Sequence, residues 1–140
     1  MLSVIEKVIF LQHVDVFAEV PTEQLAYLAA IAEEITVVSG DEVFHEHEHA
    51  DALYLVIEGS VRLHRNGDEI MTAGPRQAFG AWALFDEEPR VATASATEET
   101  RMLRMEREDF YEILADHVQV TQGVLKTMVK RLRGLVEKVR

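Results

Sequence analysis

The sequence predicts an α+β fold, in which an antiparallel β-roll or jelly-roll barrel lies between helices at the two ends of the chain. Three observations predict it. Apolar residues recur at helical spacing in residues 1–34, short β-like runs separated by turn residues fill residues 35–106, and helical spacing returns over residues 107–140. Many short strands with regular turns are typical of a barrel that hides its edges. We therefore expect a single domain over residues 1–140.

Two helices are predicted at the N-terminus. Ser3 and Glu6 have the spacing of a capping box, in which each side chain accepts a hydrogen bond from the other residue's backbone amide. Pro21 and Thr22 begin the second helix, because proline suits the first helical turn. One face of this second helix is apolar and consists of Leu25, Leu28, Ala29 and Ala32.

The middle of the chain predicts a series of short strands. They are Ile35–Val38, Glu42–His45, Ala52–Glu58, Ser60–Arg65, Glu69–Thr72, Val91–Ala96 and Arg101–Glu106. Asn66-Gly67 separates two of these runs, and this dipeptide favours a two-residue hairpin because both turn positions need a positive φ. A short helix is predicted inside the roll, just after Gly80.

The C-terminal segment predicts a short amphipathic helix and then a long one. Apolar residues of the long helix recur in steps of three and four: Val124, Leu125, Met128, Val129, Leu132, Leu135, Val136 and Val139. This stripe either packs back on the barrel or pairs with a second copy in a coiled coil. We expect the second arrangement, a homodimer through the C-terminal helix, although Gly134 makes that helix less rigid.

Composition narrows the class of protein. Apolar residues make up 48% of the chain, with no run near eighteen residues, so we expect no membrane insertion. There is no cysteine, which excludes disulfides and thiolate chemistry. The N-terminus has no basic region followed by an uninterrupted apolar block, so we read no signal peptide and expect a cytoplasmic protein.

The charge is strongly acidic and uneven. The net charge is −11, which argues against nucleic-acid binding, since phosphate contacts need a basic footprint. Residues 1–120 carry a net charge of about −16, and residues 121–140 carry about +5. This basic segment is most simply a solvated helix face, although it also suits an acidic partner.

The segment from residue 79 to residue 93 is the most informative motif. Gly80 precedes a one-turn helix, an acidic link follows, and Arg90 leads a β-like run. The start of a helix presents unpaired backbone N–H groups and a positive dipole, which suit an anion. An arginine held opposite supplies charged donors that fit a phosphate. The motif therefore predicts an anion-binding site.

This motif closely resembles the phosphate-binding cassette of cyclic-nucleotide-binding domains, in which Gly-Glu-x-x-Leu is followed by Pro-Arg-x-Ala. Residues 39–61 are similar to a second signature of that family, with a glycine turn, a strand, a further turn and then Leu53-Tyr54 and Gly59. The resemblance covers almost the whole chain. It implies the β-roll of catabolite-activator-type regulators and protein-kinase-A regulatory subunits, here expected to be free-standing and without a DNA-binding domain.

The resemblance also implies ligand-binding residues. Arg90 would bind the phosphate of cyclic AMP or cyclic GMP, and the backbone of Gly80, Ala81 and Trp82 would assist. Ala81 replaces the family glutamate that holds the ribose hydroxyl, and loss of such a bond costs about 1.5–3 kcal/mol, a ten- to hundredfold loss of affinity. Val91 lacks the hydroxyl that some members have after the arginine. From the C-terminal helix, we expect Leu132, Leu135 or a nearby residue to cover the base.

Two of these residues have alternative interpretations. Arg90 either faces an anion-ready pocket or forms a salt bridge with the acidic link of residues 86–88; we favour the pocket, because the motif placement is specific. Trp82 either stacks on a ligand base or fills the core of a cassette that has lost its ligand. We favour the core, because large aromatic side chains most often serve packing.

The main rival site is a histidine cluster. His45, His47 and His49 alternate with glutamates, and an extended backbone would place all three imidazoles on one face, where they suit zinc, nickel or copper. The family signature places a turn here, which would break the alternation. We therefore expect no metal and no resident cofactor.

The sequence thus predicts a non-catalytic, ligand-sensing regulatory module. It would bind a cyclic nucleotide or a related phosphate-bearing small molecule and signal through the C-terminal helix. No serine stands in a nucleophile-elbow context, and the carboxylates are spread over the chain as surface charge, so nothing indicates an enzyme. The alternative is a degenerate domain that binds no nucleotide and acts in dimerisation or protein interaction.

Overall fold

The computed structural model describes residues 1–139 and contains eight strands in two antiparallel sheets. The strands are β1 (Glu33–Val37), β2 (Glu42–Phe44), β3 (Ala52–Glu58), β4 (Val61–Arg65), β5 (Asp68–Ala73), β6 (Ala78–Phe79), β7 (Thr93–Ala96) and β8 (Thr100–Glu106). One sheet has the order β1-β8-β3-β6 and the other β2-β7-β4-β5. The predicted α+β fold with an antiparallel β-roll is therefore confirmed.

Four α-helices flank the roll: α1 (Val4–Leu11), α2 (Thr22–Ile31), α3 (Arg107–Asp116) and α4 (Val118–Val139). Short 3-10 helices lie at Asp15–Phe17 and Ala81–Leu84. Both predicted helix starts are confirmed. Ser3 and Glu6 form the complete capping box of α1, and Pro21 is the N-cap of α2. The capping box specifies the first start and the fixed φ of proline favours the second, so both depend on only a few neighbouring residues.

The hairpin prediction is also confirmed. Asn66 and Gly67 have φ angles of 54° and 82° and join β4 to β5. Two predicted strands begin two residues away from their observed starts, and one strand was not predicted. β1 begins at Glu33, so the roll starts before residue 35; β7 begins at Thr93, because the preceding residues belong to the cavity loop; and β6, a strand of two residues, is too short to produce a pattern.

Strand β3 lies at the centre of the packing. Its apolar run has no polar alternation because both faces are covered. Tyr54 and Val56 pack between the two sheets, and Leu53, Leu55 and Ile57 pack against the helices. The part of the chain that the structure describes therefore forms two hydrophobic clusters, one inside the roll and one between the roll and the helical layer.

Helix α4 has a packed half and an exposed half. Gly123 lies so close to the turn after the first 3-10 helix that a Cβ there would stand 2.7 Å from the Cα of Val20. Thr127 accepts a hydrogen bond from the Glu19 amide. Beyond this point the apolar side chains are exposed, from Val129 at 49% to Val136 at 67%. Within residues 1–139, no helix has the length and apolar character needed to cross a membrane.

Candidate functional site

A cavity of about 720 Å³ opens between the roll and the segment that contains the second 3-10 helix. Its lining is mainly apolar, with charged residues among it: Phe44, Glu46, His47, Ala50, Leu63, Arg65, Ala78, Phe79, Gly80, Ala81, Trp82, Ala83, Asp86, Glu88, Pro89, Arg90, Val91 and Ala92. We call residues 80–86 the cavity segment. The structure thus brings together every predicted ligand-binding residue except Leu132 and Leu135.

Gly80 allows the closest approach in the site. It adopts a left-handed conformation (φ 75°) as the N-cap of the 3-10 helix Ala81–Leu84, a conformation that residues with a side chain adopt at a cost. A Cβ at this position would stand 2.7 Å from Nη1 of Arg90. Glycine is therefore needed here both for the backbone angle and for contact with the guanidinium.

Arg90 is buried, with 6% of its surface exposed. Its Nη2 donates to the carbonyl of Ala52 at 2.8 Å, and the guanidinium carbon lies 3.9 Å from the centre of the Phe44 ring. The predicted alternative, a salt bridge to residues 86–88, is not formed. The nearest ion-pair partner is Asp51, with 4.0 Å between its Oδ1 and Nη2.

One donor of Arg90 has no partner. Its Nε is the single buried side-chain nitrogen or oxygen atom within residues 1–139 that lacks a hydrogen-bond partner. Such an atom is costly to bury unless something accepts its proton. Burial lowers the pKa of the Arg90 guanidinium, while the nearby Tyr54 and Asp51 act in the opposite direction. The arrangement is a buried cation with spare hydrogen-bonding capacity on a cavity wall.

Trp82 and Val91 line the mouth of the cavity. Trp82 is 74% exposed and Val91 is 60% exposed. The interpretation of Trp82 as a core residue was wrong, because its side chain lies on the exposed side of the 3-10 helix, whose buried residues are Ala83 and Leu84. The cavity beside Arg90 is consequently open, with an indole at its edge.

The expected placement of Leu132 was wrong. It is 62% exposed and lies with Val129, Arg133 and Val136 along a separate groove on α4. Helix α4 packs on the first 3-10 turn and on α3 instead of the cavity mouth. Two ion pairs join its outer half to this turn and to the residues just after it: Arg131–Asp15 and Lys130–Glu19.

The three clustered histidines point to different partners. His47 has a left-handed backbone (φ 75°), which breaks the alternation. Nδ1 of His45 lies 3.3 Å from the Glu42 carboxylate, and Nε2 of His49 lies 3.4 Å from Nη2 of Arg107. Over residues 1–139, no group of three or more metal-ligating side chains is close enough to hold a metal ion.

Sequence reasoning missed two charged residues that support the site. Asp51 has one carboxylate oxygen near Arg90 and the other 3.6 Å from Nη2 of Arg104. Arg107 is 7% exposed and donates to backbone carbonyls of the cavity segment. Neither residue carries a local signal, because the side-chain partners described here are at least 21 residues away in the sequence.

The architecture defines a class: a β-roll flanked by helices, with a ligand-sized cavity between the roll and a glycine-led helical turn. The family model for the cyclic nucleotide-binding domain matches residues 34–117, and the chain belongs to this family. This finding confirms the resemblance carried by the two sequence signatures.

Individual relatives agree with the family assignment. The CRP-like cAMP-activated global transcriptional regulator of Mycobacterium tuberculosis is 28% identical over 123 residues, covering 84% of this chain and 55% of that protein. The cyclic AMP receptor protein of Thermus thermophilus is 36% identical over 99 residues, covering 67% of this chain and 46% of that protein. The chain thus spans about half the length of these curated relatives.

Solved structures show the same fold. The N-terminal domain of a transcriptional regulator from Streptomyces coelicolor superposes with a TM-score of 0.83 at 34% identity, covering 90% of this chain and 92% of that one. The match therefore includes the flanking helices as well as the roll.

Proposed function

We propose that this chain is a non-catalytic ligand-sensing module that binds a cyclic nucleotide or a related phosphate-bearing small molecule in the cavity. The observation that carries the proposal is Arg90, a buried guanidinium on the cavity wall with an unpartnered Nε. A phosphate oxygen would accept that proton and add a charge-assisted hydrogen bond. The backbone amides of Gly80, Ala81 and Trp82 are the assisting donors, and Val91 borders the mouth.

Ala81 is expected to lower the affinity of the cavity for cyclic nucleotides. It lines the cavity but offers no carboxylate to a ribose hydroxyl. We therefore expect cyclic nucleotides to bind about ten- to hundredfold more weakly than they would with a glutamate at this position. The relatives named for cyclic AMP support that ligand as the first probe.

The output is proposed to pass through the C-terminal helix. Helix α3 follows β8 directly, contacts the cavity segment and packs on α4. A ligand changes the packing of α4 only to the extent that it binds two arrangements with different affinity. A homodimer formed through the exposed stripe of α4 would transmit the change.

A second candidate is a domain that binds no nucleotide and serves dimerisation or protein interaction. Two observations favour it: Ala81 removes a ligand contact, and Arg90 already has Ala52 and Phe44 as internal partners. Both candidates predict the same fold and the same exposed stripe, so ligand binding separates them.

The deciding experiment is a thermal-shift titration with cyclic AMP and cyclic GMP. A ligand at a hundredfold its dissociation constant stabilises the folded state by about 2.7 kcal/mol, which raises Tm by several degrees. We expect the shift to disappear in Arg90→Ala and to persist in Arg101→Ala, which removes an arginine outside the cavity. No shift at millimolar ligand in the unaltered protein would reject cyclic nucleotides and favour the interaction module.

A further inference from the structure

Arg107, the first residue of α3, is a buried cation without an acidic partner. It is 7% exposed, and within residues 1–139 it forms no ion pair. A buried charge is costly unless hydrogen bonds compensate for the lost hydration. The partners of its guanidinium therefore indicate what the residue does.

Three of those partners are backbone carbonyls, and Nη2 also lies 3.4 Å from Nε2 of His49. Nη1 of Arg107 donates to the carbonyls of Ala50 at 3.0 Å, Ala83 at 3.2 Å and Asp86 at 2.8 Å. Ala83 and Asp86 belong to the cavity segment, and all three acceptor residues line the cavity. One nitrogen thus joins the cavity segment, the loop before β3 and the start of α3.

The cavity segment needs such a support. Its helical turn has four residues, and isolated helices of this length are not stable by themselves. The carbonyls at the end of a helix lack internal partners and favour a nearby positive charge. Arg107 supplies both the donors and the charge at this end, while Gly80 contacts Arg90 at the other.

We propose that Arg107 is a positioning residue of the candidate site. It holds the cavity segment against the roll, so that Gly80 stays on the guanidinium of Arg90 and Trp82 stays at the mouth. The effect on the cavity wall is independent of any ligand, whereas the effect on affinity rests on the proposed function.

The fluorescence anisotropy of Trp82 reports how firmly the cavity segment is held. Trp82 is the only tryptophan in the sequence and lies within the cavity segment. In Arg107→Met, which keeps an apolar chain of similar length but removes all donors, we expect lower fluorescence anisotropy of Trp82 and about tenfold weaker binding of cyclic AMP. Arg107→Lys, with three donors on a compact head, should recover part of both quantities.

Arg101→Met is the matched control. Arg101 lies on β8, pairs with Glu34 and Glu58 and does not line the cavity. We expect it to leave both quantities at the level of the unaltered protein. A folded Arg107→Met protein with unchanged anisotropy and unchanged affinity would overturn the proposal.

The test still gives a decision if Arg107→Met does not fold or if the unaltered protein binds no cyclic nucleotide. If Arg107→Met fails to fold, Arg107→Lys carries the test, and unchanged anisotropy and affinity in that variant overturn the proposal. If the unaltered protein binds neither cyclic nucleotide, the proposed function fails, while the anisotropy comparison still decides whether Arg107 positions the wall.

Discussion

The candidate site depends, at the scale of single residues, on how closely the cavity segment approaches Arg90. Gly80 meets two independent requirements, a left-handed backbone and the absence of a Cβ beside the guanidinium. Gly67 meets only the first, because its φ is 82° and a Cβ there would contact nothing within 4 Å. The two glycines therefore allow backbone strain to be separated from contact with Arg90.

We predict that Gly67→Ala lowers the free energy of unfolding by about 1–2 kcal/mol, the cost of a left-handed residue with a side chain. Gly80→Ala should lose this amount and about 1–3 kcal/mol more, because the new methyl group displaces the buried guanidinium. Urea denaturation of the two variants measures both. Equal losses would show that the contact between Gly80 and Arg90 contributes nothing to stability.

At the scale of elements, the side chain of Glu34 attaches the N-terminus to the roll. Glu34 on β1 accepts a hydrogen bond from the Leu2 amide at 2.7 Å and another from Nη2 of Arg101 at 3.0 Å. Both hydrogen bonds lower the pKa of Glu34 below its ordinary value of 4.5, and the bond from the Leu2 amide has the larger effect. One carboxylate thus joins the start of the chain, β1 and β8.

This shift predicts a dependence of stability on pH. Because the pKa of Glu34 is lower in the folded state, its contribution is present above pH 4.5 and is lost as the pH falls through the folded value. Glu34→Gln should therefore be less stable than the unaltered protein at neutral pH, with the difference shrinking in acid.

Chemical denaturation across this pH range measures that difference. The control is Glu33→Gln, which alters the neighbouring exposed residue, one without an ion pair among residues 1–139. A stability difference for Glu34→Gln that stays constant with pH would contradict the assignment.

At the scale of the whole molecule, helix α4 carries a stripe of exposed apolar side chains. Leu125, Val129, Leu132 and Val136 follow one another at steps of four, three and four residues, and each is at least 49% exposed. That spacing is typical of a coiled-coil seam. The seam is short, so we expect pairing with a second copy to need support from the body of the domain.

We predict that the protein is a homodimer and that Leu132→Glu converts it to a monomer, because a buried unpaired carboxylate in the seam is costly. Analytical ultracentrifugation measures the mass of both. Ile5→Glu is the matched control, since Ile5 is also exposed (74%) but lies on α1; it should leave the dimer intact. A monomeric unaltered protein would reject this arrangement.

Much of the fold was predictable because its signals are local. The capping box at Ser3, the hairpin turn at Asn66 and the buried run of β3 each follow from neighbouring residues or from simple periodicity. The position of Arg90 after a glycine-led turn was also visible. Hydrophobic periodicity did not predict β6, because this strand has two residues and is defined by its pairing with β3, which is distant in the sequence.

The sequence by itself determined the family, the order of the elements and the residues most suited to bind an anion. Only the tertiary structure decided that Arg90 is buried with a spare donor, that Trp82 stands at the cavity mouth and that Leu132 lies elsewhere. The physical reason is the range of the interactions. Turns and caps are decided within a few residues, whereas burial and the partners of a guanidinium depend on residues such as Ala52 and Asp51, almost 40 positions from Arg90.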